Sequence, residues 1–303
     1  MIRFRCAGAS HAGLIRSNNE DAGFVGHYLL VVADGVGGAA AGEIAAASAA
    51  YVVTSVTTIS DTDEPLALLG DAVQLAHDHL AHGCEVDPDR RGMSTTLTAL
   101  LCDGQRVAIA HIGDSRAYRW RSGALTRLTV DHTLVQSLID GGHLTDEQAA
   151  VYPYRSVVMK ALDGDTIPEP DIGWVQVETG DRLLVCSDGL TDLVDDDAIA
   201  EILSDGATID RSATAAQSAQ PPQGQRDGER TDLDTAVDRL IEAALRAGGR
   251  DNVTCVLAEV INGRRIRPFG RTLGAFSPTN LIDGAAVHVV RTADRRTARL
   301  EPA

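Results

Sequence analysis

Several things are missing from this sequence, and each absence narrows what the chain can be. No apolar run is long enough to cross a membrane, because every long one is broken by Asp, Glu, Arg or Gly. No secretory signal opens it: Met1-Ile-Arg-Phe-Arg passes directly into a strand-like segment, so a soluble, cytoplasmic protein is expected. Cysteine is scarce and odd in number. Cys6, Cys84, Cys102, Cys186 and Cys255 contain no C-x-x-C pair, which indicates neither a disulfide framework nor a zinc site. Cys84 to Arg90 matches the Cys-x5-Arg pattern of thiol phosphatases in letters only. An anion-cradling loop needs glycines and backbone amides, and this one holds three acids and a proline. Positive charge is short as well: 27 Lys and Arg face 43 Asp and Glu, a net charge of -16 that would repel a nucleic-acid backbone. The deficit is uneven. Residues 262–303 hold eight Arg and three acids, leaving 19 bases and 40 acids in residues 1–261. A basic tail on an acidic body reads as a docking tail, a charge clamp or a solvated extension.

What is present is a set of four apolar, strand-like runs that each meet an aspartate. They are YLLVVADG at Asp34, VAIAHIGDS at Asp114, DRLLVCSDG at Asp188 and GGRDNVTCVLAEV, which opens at Asp251. Antiparallel pairing sets the end of one strand beside the start of the next, so the four carboxylates are expected to converge on one sheet edge. Two carboxylates about 4 Å apart repel by roughly 4 kcal/mol at a surface-like dielectric. Four of them call for hard divalent cations between them.

The stretch 95–130 predicts an antiparallel meander, its strands joined at Asp103-Gly104 and Ser122-Gly123, both hairpin turn signals. DIGWVQV and DRLLVCS predict further strand pairing, and RFRCAGAS an edge strand. Helical periodicity falls at roughly 42–57, 65–83, 132–141, 195–204 and 232–247, so helices and strands come in blocks. Residues 205–231 are rich in Ala, Ser, Gln, Pro and Gly and poor in large apolar side chains, and read as a mobile surface insertion. The domain is expected to span 1–262, with 263–303 as a basic tail in which GAAVHVV (284–290) is either an extra strand or a docking segment.

One aspartate corner alone is an ordinary turn. In combination with RSNNEDA at Arg16–Ala22, Gly37-Gly38, GMSTT at Gly92–Thr96, PYRSVVMKAL and GGRDNVT, the corners resemble the PPM, or PP2C-type, metal-dependent serine/threonine protein phosphatases over about residues 5–260, in the bacterial branch that opposes Ser/Thr kinases. The resemblance implies an α+β fold, an αββα four-layer sandwich of two antiparallel sheets flanked by helices. It also implies a binuclear Mn2+ or Mg2+ centre whose bridging hydroxide attacks phosphoserine or phosphothreonine directly. A metal pair about 3.5–4 Å apart both generates such a nucleophile and neutralises phosphoryl oxygens. By this resemblance Asp34 bridges the two metals, the Gly35 carbonyl binds one, and Asp188 and Asp251 bind the other. Glu20, and Asp21 behind it, hold metal-bound waters or orient ligands. Arg16 takes the place of the phosphate-binding arginine. Asp114 recruits a third, weaker metal together with Asp188, with Ser156 in reach of it and Asn252 beside Asp251 as a further candidate. The implied partners are phosphorylated proteins, Ser/Thr kinases among them, acted on by a monomer.

The chain also departs from the family pattern. Where animal members carry a histidine after the DG corner, and many bacterial ones read DGMGGH, this chain has Val36, Gly37, Gly38 and Ala39. No side chain is therefore assigned as general acid, and a metal-bound water takes that role. His111 lies in an apolar strand and reads as a core residue; His132 and His143 lie in the stretch, roughly 131–165, that resembles the flap expected to govern substrate selectivity. Two rivals stand against the phosphatase reading. Gly35-Val-Gly37-Gly-Ala-Ala40 fits a dinucleotide-binding turn, but Asp34 would press against a pyrophosphate, and the hairpins that follow belong to an antiparallel sheet. A non-catalytic pseudophosphatase usually loses metal ligands, and none is lost here.

Overall fold

The computed structural model describes residues 1–36, 41–59, 64–205, 231–266, 270–282, 285–291 and 296–302. In chain order the strands are β1 (Ile2–His11), β2 (Asp21–Gly26), β3 (Leu29–Val36), β4 (Ser94–Thr95), β5 (Leu97–Cys102), β6 (Val107–Ile112), β7 (Arg116–Arg121), β8 (Ala124–Arg127), β9 (Asp171–Val175), β10 (Arg182–Cys186), β11 (Val253–Asn262), β12 (Gly270–Gly274), β13 (Ala285–Arg291) and β14 (Arg296–Pro302). The helices are α1 (Gly42–Ile59), α2 (Pro65–Val86), α3 (Leu134–Asp140), α4 (Asp146–Ala150), α5 (Asp188–Thr191), α6 (Asp196–Ser204) and α7 (Asp232–Arg246).

Side-chain alternation sorts the strands into two stacked antiparallel sheets. One sheet runs β1-β11-β10-β7-β8, the other β12-β2-β3-β5-β6-β9, with β4 attached to β3. In β3, Leu30 and Val32 enter the core between the sheets, whereas Leu29, Val31 and Ala33 meet α1 and α2. In β11, Val256, Ala258 and Val260 point inward and Val253, Cys255 and Leu257 face α6 and α7. Helix, sheet, sheet and helix thus form the four layers that the sequence resemblance implied. The helix faces follow the same logic. In α7 the buried residues Leu233, Ala236, Val237, Leu240, Ile241 and Ala244 recur at helical spacing. Its start is fixed by a capping box in which Thr231 Oγ1 accepts from the Asp234 amide at 3.2 Å while Asp234 Oδ2 accepts from the Thr231 amide at 2.9 Å.

Three expectations are corrected. The run 95–130 is not one meander: β5 and β6 pair in one sheet, then the chain crosses at Gly113–Ser115 to form β7 and β8 in the other. DIGWVQV and DRLLVCS, as β9 and β10, likewise lie in different sheets, because both inward and outward faces of β10 need burial and only a central position gives that. The fold also continues past 262. The β12 strand pairs with β2 from Gly270↔Gly26 to Gly274↔Ala22, and Ile282 is buried against α1 and α2 with its amide donating to Ser48 Oγ at 3.2 Å. Of the GAAVHVV run, the residues from Ala285 on form β13, paired among the described residues only with β14. Of the expected insertion, residues 206–230 lie outside the described residues.

Candidate active site

The four aspartates come together, though from both sheets instead of one edge. Asp34 lies near the end of β3 and Asp114 follows β6 in one sheet; Asp188 follows β10 and Asp251 precedes β11 in the other, all at the same end of the sandwich. The corner at Asp34 is held through its backbone. The Asp34 carbonyl accepts from the Thr96 amide and from Thr95 Oγ1, each at 2.9 Å, and its amide donates to Thr96 Oγ1 at 3.1 Å. Gly35 is required by contact: a Cβ there would stand 2.5 Å from the Gly42 carbonyl, so the start of α1 rests directly on the corner. Glu20 Oε2 lies 2.6 Å from where a Gly42 Cβ would be, which sets that carboxylate at the α1 N-terminus, where the helix dipole favours negative charge.

The second half of the site is locked by Asn252. Its Oδ1 accepts from the Glu20 amide at 2.8 Å and its Nδ2 donates to the carbonyls of Ala12 (3.0 Å) and Asn18 (2.8 Å). Both atoms of the side-chain amide are thereby engaged in shaping the 12–20 loop. Gly189 seals the neighbouring corner, since a Cβ on it would stand 1.9 Å from the Asn252 carbonyl oxygen. Arg16 reaches back over this assembly, its Nη2 donating to Asp251 Oδ2 at 2.8 Å.

Asp21 sits opposite Asp34 in the β2–β3 register and is fully buried. Ser187 Oγ donates to its Oδ2 at 2.7 Å and in turn accepts from the Thr254 amide at 3.0 Å; Asp21 Oδ1 has no partner among the described residues. Burial pushes this carboxyl up to about 6 despite the Ser187 bond. Burial, followed by the charges of Asp21, Asp188, Asp114 and Asp251, holds Asp34 well above the usual carboxylate range. Asp188 is raised in the same direction by burial and then by Asp114, Asp192 and Asp251. Asp114 rises to about 6, chiefly through burial and the charge of Asp131, while Arg116 pulls the other way. Asp131 itself is compensated: Arg116 Nη2 donates to it at 2.7 Å and Arg127 joins from β8.

Two clefts open onto the cluster. One, of about 310 Å³, runs from Asp114 and Asp188 to Gln136 and Ile139 on α3, with Ser156 on its wall. The other, of about 250 Å³, is walled by Arg16, Arg155, Ser156, Asp188, Arg250 and Asp251. Ser156 is exposed and marks the place where the two meet. The flap between them is rooted by isolated bridges, Thr133↔Val158 and Thr95↔Leu162. His111 is the core residue expected, with Nδ1 against Thr98 Oγ1 at 2.9 Å, Nε2 donating to the Val130 carbonyl at 3.0 Å, and burial pushing it down to about 4.

The donor set decides which ions suit the site. Among the described residues no three His, Cys, Asp or Glu side chains close around a common point, so no all-protein cage is formed. Converging carboxylates without histidine or thiol suit a hard cation that keeps several waters, as Mg2+ and Mn2+ do, and not zinc. The orphaned Asp21 oxygen and the mutually repelling Asp34 and Asp188 supply acceptors and negative charge that such cations would satisfy. The sequence reading gave no role to Thr95, Thr96, Ser187, Asp131 or Arg116. Ser187 could have been suspected from its place beside the Asp188-Gly189 corner, and Thr95 and Thr96 from the GMSTT segment; Asp131 and Arg116 carry no such local signal, since they meet only in three dimensions.

Comparison with known proteins agrees with this geometry. A family model described as protein phosphatase 2C matches residues 8–220. Serine/threonine protein phosphatase PstP of Mycobacterium tuberculosis is 43% identical over 262 residues, covering 85% of this chain and 45% of that protein. Serine/threonine phosphatase Stp of Listeria monocytogenes is 32% identical over 256 residues, covering 82% of this chain and 92% of its own. Among solved structures, the M. tuberculosis PstP/Ppp crystal structure aligns with a TM-score of 0.74 at 40% identity over 86% of this chain and 100% of that one. The PstP catalytic domain in complex with two manganese ions aligns with a TM-score of 0.73 at 38% identity, over 86% of this chain and 100% of that one. The chain belongs to the protein phosphatase 2C family. It spans less than half the length of the mycobacterial relative it matches.

Proposed function

We propose that this chain is a metal-dependent protein serine/threonine phosphatase, with Asp34, the Gly35 carbonyl, Asp188 and Asp251 holding two Mn2+ or Mg2+ ions and Asp114 with Asp188 serving a third, weaker site. The observation that carries this reading is the convergence, from two sheets, of Asp34, Asp114, Asp188 and Asp251, of which Asp34 and Asp188 are pushed up by desolvation and then by their neighbours' charge, while the one direct basic neighbour among the described residues is Arg16 on Asp251. The manganese-complexed PstP domain supports the choice of metal. When bound, the ion pair supplies a nucleophilic hydroxide at neutral pH and neutralises phosphoryl charge.

The chain's own residues do the rest. Arg16, half-exposed and bonded to Asp251, offers its remaining N–H groups to substrate oxygens as a planar fork. Glu20 and the free Asp21 Oδ1 accept hydrogen bonds from solvent in the site and so orient it. Asn252 fixes the loop that carries Arg16 and Glu20. Ser156 lines the way to the third site. With no acid at Val36, the leaving oxygen takes its proton from solvent. Among the described residues no helix is long and apolar enough to cross a membrane. We place the action in the cytoplasm, as a monomer, on Ser/Thr kinases and their phosphoprotein substrates; the names of the bacterial phosphatases above support the serine/threonine phosphatase activity itself.

The test is phosphate release from a phosphothreonine peptide and from a small aryl phosphate, with Mn2+, with Mg2+ and with chelator. Metal-dependent turnover that Asp34→Asn removes is expected. Mn2+ binding by folded protein without turnover of either substrate would replace this reading by the pseudophosphatase.

A further inference from the structure

The smaller cleft holds a cation that the chemistry above does not use. Three arginines wall it, and two are engaged: Arg16 with Asp251 at 2.8 Å and Arg155 with Asp192 at 3.7 Å. Arg250 is exposed and makes no ion pair among the described residues. Its position is fixed by its backbone. Gly248 (φ 124°) and Gly249 (φ 49°) turn the chain after α7, with the Gly249 amide donating to the Ala244 carbonyl at 3.0 Å, and the Leu14 amide donates to the Gly249 carbonyl at 2.7 Å. The 12–16 and 248–251 loops are therefore joined through their backbones, which sets Leu14 and Ile15 on the loop beside the cleft that Arg16 and Arg250 line. Leu14 and Ile15 are 62% and 71% exposed, an unusual place for two adjacent large aliphatic side chains unless something covers them.

We infer that Arg250 and the Leu14-Ile15 pair form a substrate subsite beside the phosphoryl position, selecting protein segments that carry an acidic side chain with an apolar neighbour next to the phosphoresidue. This rests on the phosphatase reading and says which substrates that site prefers. The occupant follows from charge and shape. Arg16 and Asp188 face the same cleft, so a phosphoresidue held at the cluster places its flanking residues along this wall. The body of the protein is strongly acidic, so a flanking carboxylate finds a favourable field where a guanidinium is unneutralised, and Arg250, without an ion pair among the described residues, provides that in the same cleft as Arg16.

The experiment uses two phosphothreonine peptides of identical composition, one with Glu and Leu adjacent to the phosphothreonine and one with them moved to the far end, so that net charge is constant. Both are measured with Mn2+ against an aryl phosphate as reference. The adjacent-Glu peptide is expected to have a kcat/KM about fivefold higher, through KM, the scale of one rim charge pair. Arg250→Ala should bring the ratio to about one and Arg250→Glu invert it; Ile15→Ser should weaken the adjacent-Leu peptide with no change in kcat. Equal rates for the two peptides in the unmodified protein, or a preference that survives Arg250→Ala, overturn the subsite while leaving the phosphatase standing. No turnover of the aryl phosphate either would remove the phosphatase reading and the subsite with it.

Discussion

Two clusters of charged side chains lie at opposite ends of β10, and they treat charge in opposite ways. At its start, Arg182 is buried and donates to Asp232 Oδ2 at 2.7 Å and to the Leu203 carbonyl at 2.7 Å, while Arg5 donates to Asp232 at 2.6 Å and to Glu259 at 2.5 Å. Two cations meet two anions, and the group pins the end of α6 and the first residue of α7 to the sheet. At its end, Asp188 meets Asp21, Asp34 and Asp114 with no cation in direct contact among the described residues. The first cluster is a finished structure. The second is an unfinished one, and burial of like charge without partners marks a place where something else binds.

The sharpest way to break this contrast is Asp188→Asn. At the unfinished end it should reduce metal-dependent turnover to background while the metal-free fold keeps or gains thermal stability, because one repelling charge is gone. Retained turnover would show that Asp188 is not a ligand, and a large drop in Tm in chelator would show that the cluster is structural after all.

The unfinished end should also carry a pH signature. Burial raises Asp21 and Asp114 to about 6, above the ordinary carboxylate range. Between about pH 4 and 6 the native state then holds protons that the unfolded chain has lost, so the stability these groups contribute is complete below pH 4 and is lost as pH rises through 6. The scale is on the order of 3 kcal/mol per group. In chelator, Tm should fall from pH 5 to 7; Mn2+ should raise it most at and above pH 7, where the carboxylates are free to bind. A chelated protein whose Tm is flat or rising across that range would contradict the raised carboxyls.

At the finished end, Asp232→Ala strands Arg182, which is only 2% exposed, and should cost about 3 kcal/mol in urea denaturation with little effect on kcat. Replacing Arg182 and Asp232 together by apolar residues should recover most of that loss. Failure of the double variant to recover would mean that the pair also organises the α6–α7 corner in a way an apolar contact cannot.

How far the site was legible follows from the same contrast. Asp34, Asp188 and Asp251 could be read from sequence because each sits at a glycine- or asparagine-marked corner of a strand, where local turn chemistry and the ligand coincide. That the corners belong to two stacked sheets could not be read, since β5–β6 and β7–β8 have the same hairpin signals and only packing separates them across Gly113. The boundary at 262 failed for a related reason. Arg264, Arg265 and Pro268 look like an exit from the domain, yet further along Leu273 and Ile282 are buried, and so short a strand as β12 has no periodic pattern of its own. The Arg5, Arg182, Asp232 and Glu259 cluster left no trace in sequence, because its members are far apart along the chain and none lies in a motif.

Asn252 gives the finest test of what separates a ligand from a residue that arranges ligands. Its three side-chain bonds to Ala12, Asn18 and Glu20 backbone groups are local to the 12–20 loop, and none reaches an aspartate carboxyl. At about 1 kcal/mol for each net hydrogen bond, Asn252→Ala should cost roughly 2–3 kcal/mol. It should lower Mn2+ affinity about 10- to 100-fold, the usual penalty for removing a residue behind the ligands. Saturating Mn2+ should then restore much of kcat, whereas it restores none in Asp188→Asn. Isothermal titration with Mn2+ beside turnover at saturating metal separates the two cases: kcat that stays at background in Asn252→Ala at saturation would place Asn252 among the reacting groups instead of behind them.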